Sequence, residues 1–270
     1  MAGGGSRGRY PARRQGRGPD SKGRIVVNNT DPLKNIRIVL ARPSHPGNIG
    51  AAARAMKTMG LSDLRLVLPR HFPHPEADAR ATGAIDVLER ASVVDNLDAA
   101  LDGCVLAIAT SARHREMRHD MMDAQGAARE ALAAAAQPVA FVFGNETAGL
   151  TAEEAVRCAI WAHIPTNPDY TSLNLAAAVQ IFAYELHKAC AEAAPASPLP
   201  EEFAPATLDQ IEQLHAHFEA EMKASGFYKP DNPGRLLFRV RRMLTRARLE
   251  AEEVSILRGF LKSLAKHRQP

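Results

Sequence analysis

Short apolar runs recur along the chain, separated by polar turns and amphipathic stretches. The first is Ile36-Arg37-Ile38-Val39-Leu40, a β-branched run that predicts a strand. A loop, ARPSHPGNIG, leads to a helix predicted from Ile49 through Met59, with Gly60 as its stop. Leu64–Leu68 predicts the next strand, ended by Pro69. A His/Pro-rich loop follows, and Ala84–Leu88 is undecided between helix and strand. Ser92–Val94 reads as a short strand, Asn96–Leu101 as a short helix and Val105–Thr110 as a clear strand. Ala124–Ala136 is rich in Ala and predicts a helix. Pro138–Phe143, apolar throughout, predicts a strand that breaks at Gly144. A helix near Ala152–Val156, a strand Ala159–Ile164 and one long helix Ser172–Ala191 complete this part.

Strands and helices alternate over 36–190, and several strands are apolar on both faces, as a buried parallel sheet requires. The class is α/β, doubly wound, with ligands expected at the carboxyl ends of the strands. Residues 192–206 hold four prolines and read as a linker. Beyond it, Thr207–Ser225 and Arg235–Leu264 predict two helices, the first opened by a Thr207/Gln210 capping box. In the second, Arg235, Arg239, Arg242 and Arg246 share one face, and Leu236, Val240, Met243 and Leu244 occupy another. The expected domains are therefore a disordered basic arm over 1–30, an α/β domain over 31–191, the linker, and a helical extension over 207–270.

Composition narrows the class. No apolar stretch is long enough to span a bilayer, and the Arg-rich N-terminus lacks the apolar core of a secretory signal. Cys104, Cys158 and Cys190 are scattered, without C-x-x-C spacing, which fits reduced thiols in the cytoplasm and gives no zinc site. Net charge is only +4, but it is unevenly spread. Six arginines and one lysine crowd the first 24 residues against only Asp20, and six arginines fill 235–248 with no acid. Clustered Arg is the footprint of a polyanion, RNA or DNA.

Four loops at expected strand ends carry candidate chemistry. PSHPGNIG opens onto a helix N-terminus, a natural anion site. Asn48 and Arg54 follow there, and alone Arg54 reads as a solvated helix residue. Its glycines do not make G-x-G-x-x-G, which disfavours a Rossmann dinucleotide site and an NADP-binding oxidoreductase. The second loop is Thr110-Ser111-Ala112, with Arg113-His114-Arg115 behind it. The third, FGNETAGL, looks like a phosphate cradle but carries Glu146 and no Lys. The fourth runs from Ile164 to Ser172-Leu173-Asn174, where Ser172 alone reads as an N-cap. No Ser has a G-x-S-x-G setting, and neither His114 with His119 nor His215 with His217 has a third ligand, so no metal is expected. These histidines read as surface or RNA-facing.

Three stretches in this order, N48-IGAAA-R54, FGNETAGL at 143–150 and TSLNLAAAVQIFAYE at 171–185, resemble the SpoU/TrmH group of SPOUT RNA 2′-O-methyltransferases. IRIVLARPSHPGNIG, TSAR, NPDYTSLNLA and the C-terminal GFYKPDNPGRLLFRVRRML look closest to its TrmJ branch. Asn145 stands after the motif-two glycine as in the wider group, where that branch often has a basic residue. The resemblance implies a SPOUT α/β knot: a parallel sheet with helices on both faces and a C-terminal trefoil. It also implies a homodimer with shared active sites, S-adenosyl-L-methionine as cofactor, and tRNA as partner, methylated on the ribose of the pyrimidine at position 32. A ribosomal RNA substrate is the alternative within the family. Catalytic roles would fall on Arg54, Asn48, Glu146, Ser172 and Asn174. Cofactor contacts would fall on Thr110, Ser111, Ala112, Gly144, Asn145, Ile164, Ser172 and Leu173. Glu146 is expected to orient Arg54 or Asn48, from its own or the partner subunit.

Overall fold

The computed structural model describes residues 31–111, 121–192, 204–231 and 234–267. The basic arm, Ala112, His114 and His119 lie outside them, as does most of the expected linker.

Seven strands form one parallel sheet: β1 (Ile36–Ala41), β2 (Asp63–Val67), β3 (Ser92–Val94), β4 (Leu106–Thr110), β5 (Met121–Asp123), β6 (Val139–Phe143) and β7 (Ile160–His163). Their order is β3-β2-β1-β6-β4-β7-β5. Every residue of β1 and β6 is buried, because helices cover both faces. Ile36, Ile38 and Leu40 pack on one side, and Val39 and Ala41 on the other. The first face is covered by α1 (Pro46–Thr58), α5 (Ala124–Ala134) and α7 (Leu175–Glu192). The second lies under α4 (Leu97–Leu101) and α6 (Ala152–Ala155), with α8 (Leu208–Ala224) beside them. The late strand β6 is inserted between β1 and β4, and β7 between β4 and β5. That insertion gathers the loops after β1, β4, β6 and β7 at one edge, where the strand order reverses.

Several elements differ from the sequence expectation. α1 starts at Pro46, not Ile49: Pro at the first helical position has its φ preset and no N–H to satisfy. Asn48 is therefore inside the first turn. At Gly50, which has no Cβ, α1 meets the next helix; a Cβ there would lie 2.0 Å from the Ala77 carbonyl oxygen. That helix, α2 (Pro75–Ala81), lies in the expected loop, capped by the His74 ring accepting from the Glu76 N–H. The undecided stretch becomes α3 (Ile85–Glu89). β5 carries too little pattern to be seen and exists by pairing with β7.

α7 starts at Leu175, not Ser172. Asn174 caps it, its Oδ1 accepting from the Ala176 N–H at 2.9 Å, so Ser172 is no cap. The expected helix Arg235–Leu264 is two, α9 (Leu236–Ala247) and α10 (Ala251–His267), broken where Arg248 turns left-handed at φ 50°. α8 to α10 enclose a small core of Ile211, Leu214, Leu244, Val254 and Leu261. The Thr207/Gln210 capping box is present. Residues 204–206 pair with 249–251, and the Leu208 N–H donates to the Cys104 carbonyl at 2.7 Å, tying the extension to the sheet domain. Of the expected basic face, Arg235, Arg239 and Arg246 are exposed and Arg242 is half-buried. Met243 is exposed rather than packed. His215 is not RNA-facing: it is buried, with Nε2 3.1 Å from the Leu237 carbonyl.

Candidate functional site

A cleft of about 280 Å³ opens at the sheet edge where the four loops meet. Phe143 and Ala162 from the sheet and Phe182 of α7 line it. Phe182 packs against Phe141 and Phe143 with ring centroids 5.6 and 5.7 Å apart. A buried ring of this kind contributes about 3–5 kcal/mol. It also holds the N-terminus of α7, and with it Asn174, at the cleft.

Seven of the eight expected cofactor residues line this space: Thr110, Ser111, Gly144, Asn145, Ile164, Ser172 and Leu173. Ala112 lies outside the described residues. Gly144 is required by close approach. The loop folds back on its own start, and a Cβ at 144 would lie 2.2 Å from the Gly149 carbonyl carbon. Gly149 itself takes φ 68°, which favours glycine.

The polar centre is built on Glu146. Its carboxylate accepts from the Ser44 N–H (2.9 Å), the Ser44 hydroxyl (2.8 Å), the His45 N–H (3.2 Å) and Asn48 Nδ2 (2.9 Å). Burial pushes this carboxyl up, but the bonds from Asn48 and Ser44 outweigh it and hold it at about 2. It is thus charged at any physiological pH. With Nδ2 committed to Glu146, the Asn48 Oδ1 turns to accept from Asn174 Nδ2 at 2.8 Å. Glu146, Asn48 and Asn174 therefore form one hydrogen-bonded row that ends in the α7 cap. Glu146 orients Asn48 within the same chain.

Arg54 is not in that row. It stands exposed on α1, outside the cleft lining, and makes no side-chain hydrogen bond or ion pair among the described residues. Ser172 lines the cleft without a hydrogen bond among the described residues. Sequence reasoning missed Ser44. The only signal was a hydroxyl in the turn before the helix that carries Asn48.

The cleft suits an adenosine bearing a positive sulfonium. Its walls mix apolar side chains with hydroxyl and amide groups and loop backbone, and its one charged lining group among the described residues is the Glu146 carboxylate. No Lys or Arg among the described residues lines it, so a pyrophosphate would find no counter-charge among them. Among the described residues no group of three His, Cys, Asp or Glu could hold a metal ion, and no helix is long and apolar enough to cross a membrane.

Comparison with known proteins gives the same picture. Residues 35–184 match the model of the SpoU rRNA Methylase family, and residues 209–270 match the tRNA methyltransferase TrmJ, C-terminal domain. A tRNA (cytidine/uridine-2′-O-)-methyltransferase TrmJ from Cronobacter sakazakii is 45% identical over 240 residues, spanning 87% of this chain and 98% of that protein. The TrmJ of Pectobacterium atrosepticum is 47% identical over the same shares. The crystal structure of TrmJ from Z. mobilis superposes with a TM-score of 0.75 at 33% identity, covering 85% of this chain and 98% of that one. With its sheet order, its cleft and both halves matched, the chain belongs to the SpoU methylase family, in the TrmJ branch.

Proposed function

We propose that the chain transfers a methyl group from S-adenosyl-L-methionine to the ribose 2′-hydroxyl of a cytidine or uridine in tRNA, at position 32 of the anticodon loop. It acts as a cytoplasmic homodimer, with the trefoil knot of its family around the cleft. The observation that carries the reading is the cleft, whose single charged lining group among the described residues is a carboxylate. Thr110, Ser111, Gly144, Asn145, Ile164, Ser172 and Leu173 would hold the cofactor, which supplies an electrophilic methyl on a sulfonium. Exposed Arg235, Arg239 and Arg246 offer the extension's phosphate-facing edge. A ribosomal RNA substrate is the second reading, supported by the description of the matched family model. The match of 209–270 to a tRNA methyltransferase domain favours tRNA.

The residues divide the work. A ribose hydroxyl is a weak nucleophile and must lose its proton. Glu146, held at about 2, is too weak a base to take it. Arginine is a poor proton acceptor, so Arg54 either gives its own proton to a substrate phosphate as it takes the hydroxyl's, or only orients the hydroxyl and stabilises charge. Glu146 fixes Asn48, and Asn48 with Asn174 presents amide groups beside the cleft. Arg54, solvent-facing in its own chain, serves the shared site of the dimer.

Calorimetric titration tests the reading against a dinucleotide enzyme. S-adenosylmethionine is expected to bind, and NADPH is not. Binding of NADPH alone would overturn the assignment.

A further inference from the structure

The 144–151 loop forms one wall of the cleft, and its helix α6 is only four residues long. A turn that short has little stability of its own. Something must hold the loop in shape. Asn145 does part of this locally: its Oδ1 accepts from the Thr147 and Ala148 N–H groups at 3.0 and 3.1 Å, and its carbonyl accepts from the Gly149 N–H at 2.8 Å. Those bonds close the loop on itself but do not fix it to the sheet. Glu146 fixes its middle.

Its two ends meet at one residue outside the cleft lining, Arg42, which follows β1. The Arg42 carbonyl accepts from Asn145 Nδ2 at 2.8 Å, at the start of the loop. Its guanidinium reaches the other end. Nη2 donates to the Gly149 carbonyl at 3.2 Å and to Glu154 Oε2 at 2.7 Å, and Nε donates to Glu154 Oε1 at 3.0 Å. Glu154 is itself pinned: its Oε2 accepts from the Thr151 N–H at 2.7 Å in the capping box of α6. The Arg42 N–H donates to the Val67 carbonyl at 2.7 Å, anchoring the residue to β2. Arg42 has φ 54°, a left-handed conformation that a branched-chain-free but non-glycine residue keeps only when its surroundings hold it. Only a planar fork bonds both oxygens of one carboxylate and a neighbouring carbonyl together.

We infer that Arg42 is a positioning residue for the cofactor cleft: it sets the spacing of Asn145 and Gly149, and so governs affinity for S-adenosylmethionine rather than the methyl-transfer step. The inference rests on the reading of the cleft as the cofactor site. Among the described residues Arg42 makes no hydrogen bond to Asn48, Asn174 or Arg54, and Glu146 keeps its own bonds to Ser44, His45 and Asn48, so the row at the polar centre survives its loss.

The test is calorimetric titration of S-adenosylmethionine into the full chain, with steady-state kinetics alongside. Arg42→Ala is expected to weaken binding about tenfold, as the loss of charge-assisted bonds implies. KM for the cofactor rises with it, and kcat at saturating cofactor stays near the wild-type value. Arg42→Lys, with one ammonium in place of the fork, falls between the two. Glu154→Gln keeps an oxygen for the Thr151 N–H but loses the charge, and shifts affinity in the same direction. A folded Arg42→Ala chain with wild-type affinity, or one with lower kcat and unchanged KM, overturns the inference. Should Arg42→Ala not fold, wild-type affinity in both Arg42→Lys and Glu154→Gln overturns it equally. A wild-type chain that does not bind S-adenosylmethionine overturns instead the reading of the cleft, and the inference falls with it.

Discussion

Arg54→Ala is expected to abolish methyl transfer while tRNA binding and folding survive. Folding survives because Arg54 is exposed on α1, has no side-chain partner among the described residues, and alanine is the best helix former. A solvated arginine of this kind has no stabilising work to lose. What it has is a permanent positive charge on the helix that carries Asn48. Losing a group that orients or deprotonates the nucleophile, or stabilises charge on it, costs about 10²–10⁴ in rate. Initial rates of methyl incorporation, measured beside a tRNA-binding isotherm, check this. Near-normal turnover would remove Arg54 from the mechanism. Loss of tRNA binding instead would make it a phosphate contact.

Glu146→Gln is the second large effect, and it carries a pH signature. The carboxylate offers only acceptors to five donors: the Ser44 N–H and hydroxyl, the His45 N–H, Asn48 Nδ2 and, at 3.5 Å, Asn145 Nδ2. Glutamine puts an NH₂ where one oxygen stood, so donor faces donor at Ser44 or at Asn48. An unsatisfied group costs about 1–3 kcal/mol. Asn48 then loses the bond that turns its Oδ1 toward Asn174, and turnover falls by about tenfold or more on that energy. The sign of the acid dependence follows from the depressed carboxyl. Its ordinary value is 4.5 and its folded value about 2. Glu146 therefore stabilises the fold fully above about 4.5, and that contribution disappears as pH falls from there through about 2. Thermal melts of the two proteins are expected to differ at neutral pH and to converge across that window. A gap that stays constant down to pH 2 would show that Glu146 carries no such bonds.

Much of the architecture was legible because it depends on local pattern. β4 and β6 are apolar on both faces, the pattern of strands in a covered parallel sheet. The residues that the family resemblance assigns to the cofactor stand in loops at strand ends, and seven of them line one cleft. What stayed hidden depends on neighbours far along the chain. β5 is three residues that become a strand only beside β7. α2 hides in a Pro/His-rich stretch because Pro75 reads as a breaker when it is in fact a first helical residue. The break at Arg248 needs φ 50°, which no residue type there announces. His215 looked like a surface histidine until α9 supplied the Leu237 carbonyl.

At the site the same division holds. The pairing of Glu146 with Ser44 and Asn48 spans about a hundred residues, and the insertion of β6 beside β1 makes it. Arg42 gave no signal, because its partners Asn145, Gly149 and Glu154 all come from that inserted unit.

One measurement tests the central claim most directly: purified chain, S-adenosylmethionine and unmodified tRNA, followed by position-resolved mapping of 2′-O-methyl groups. The account predicts a methyl on the ribose of the pyrimidine at position 32. A methyl on a base, or no methyl on tRNA while ribosomal RNA is modified, would contradict it.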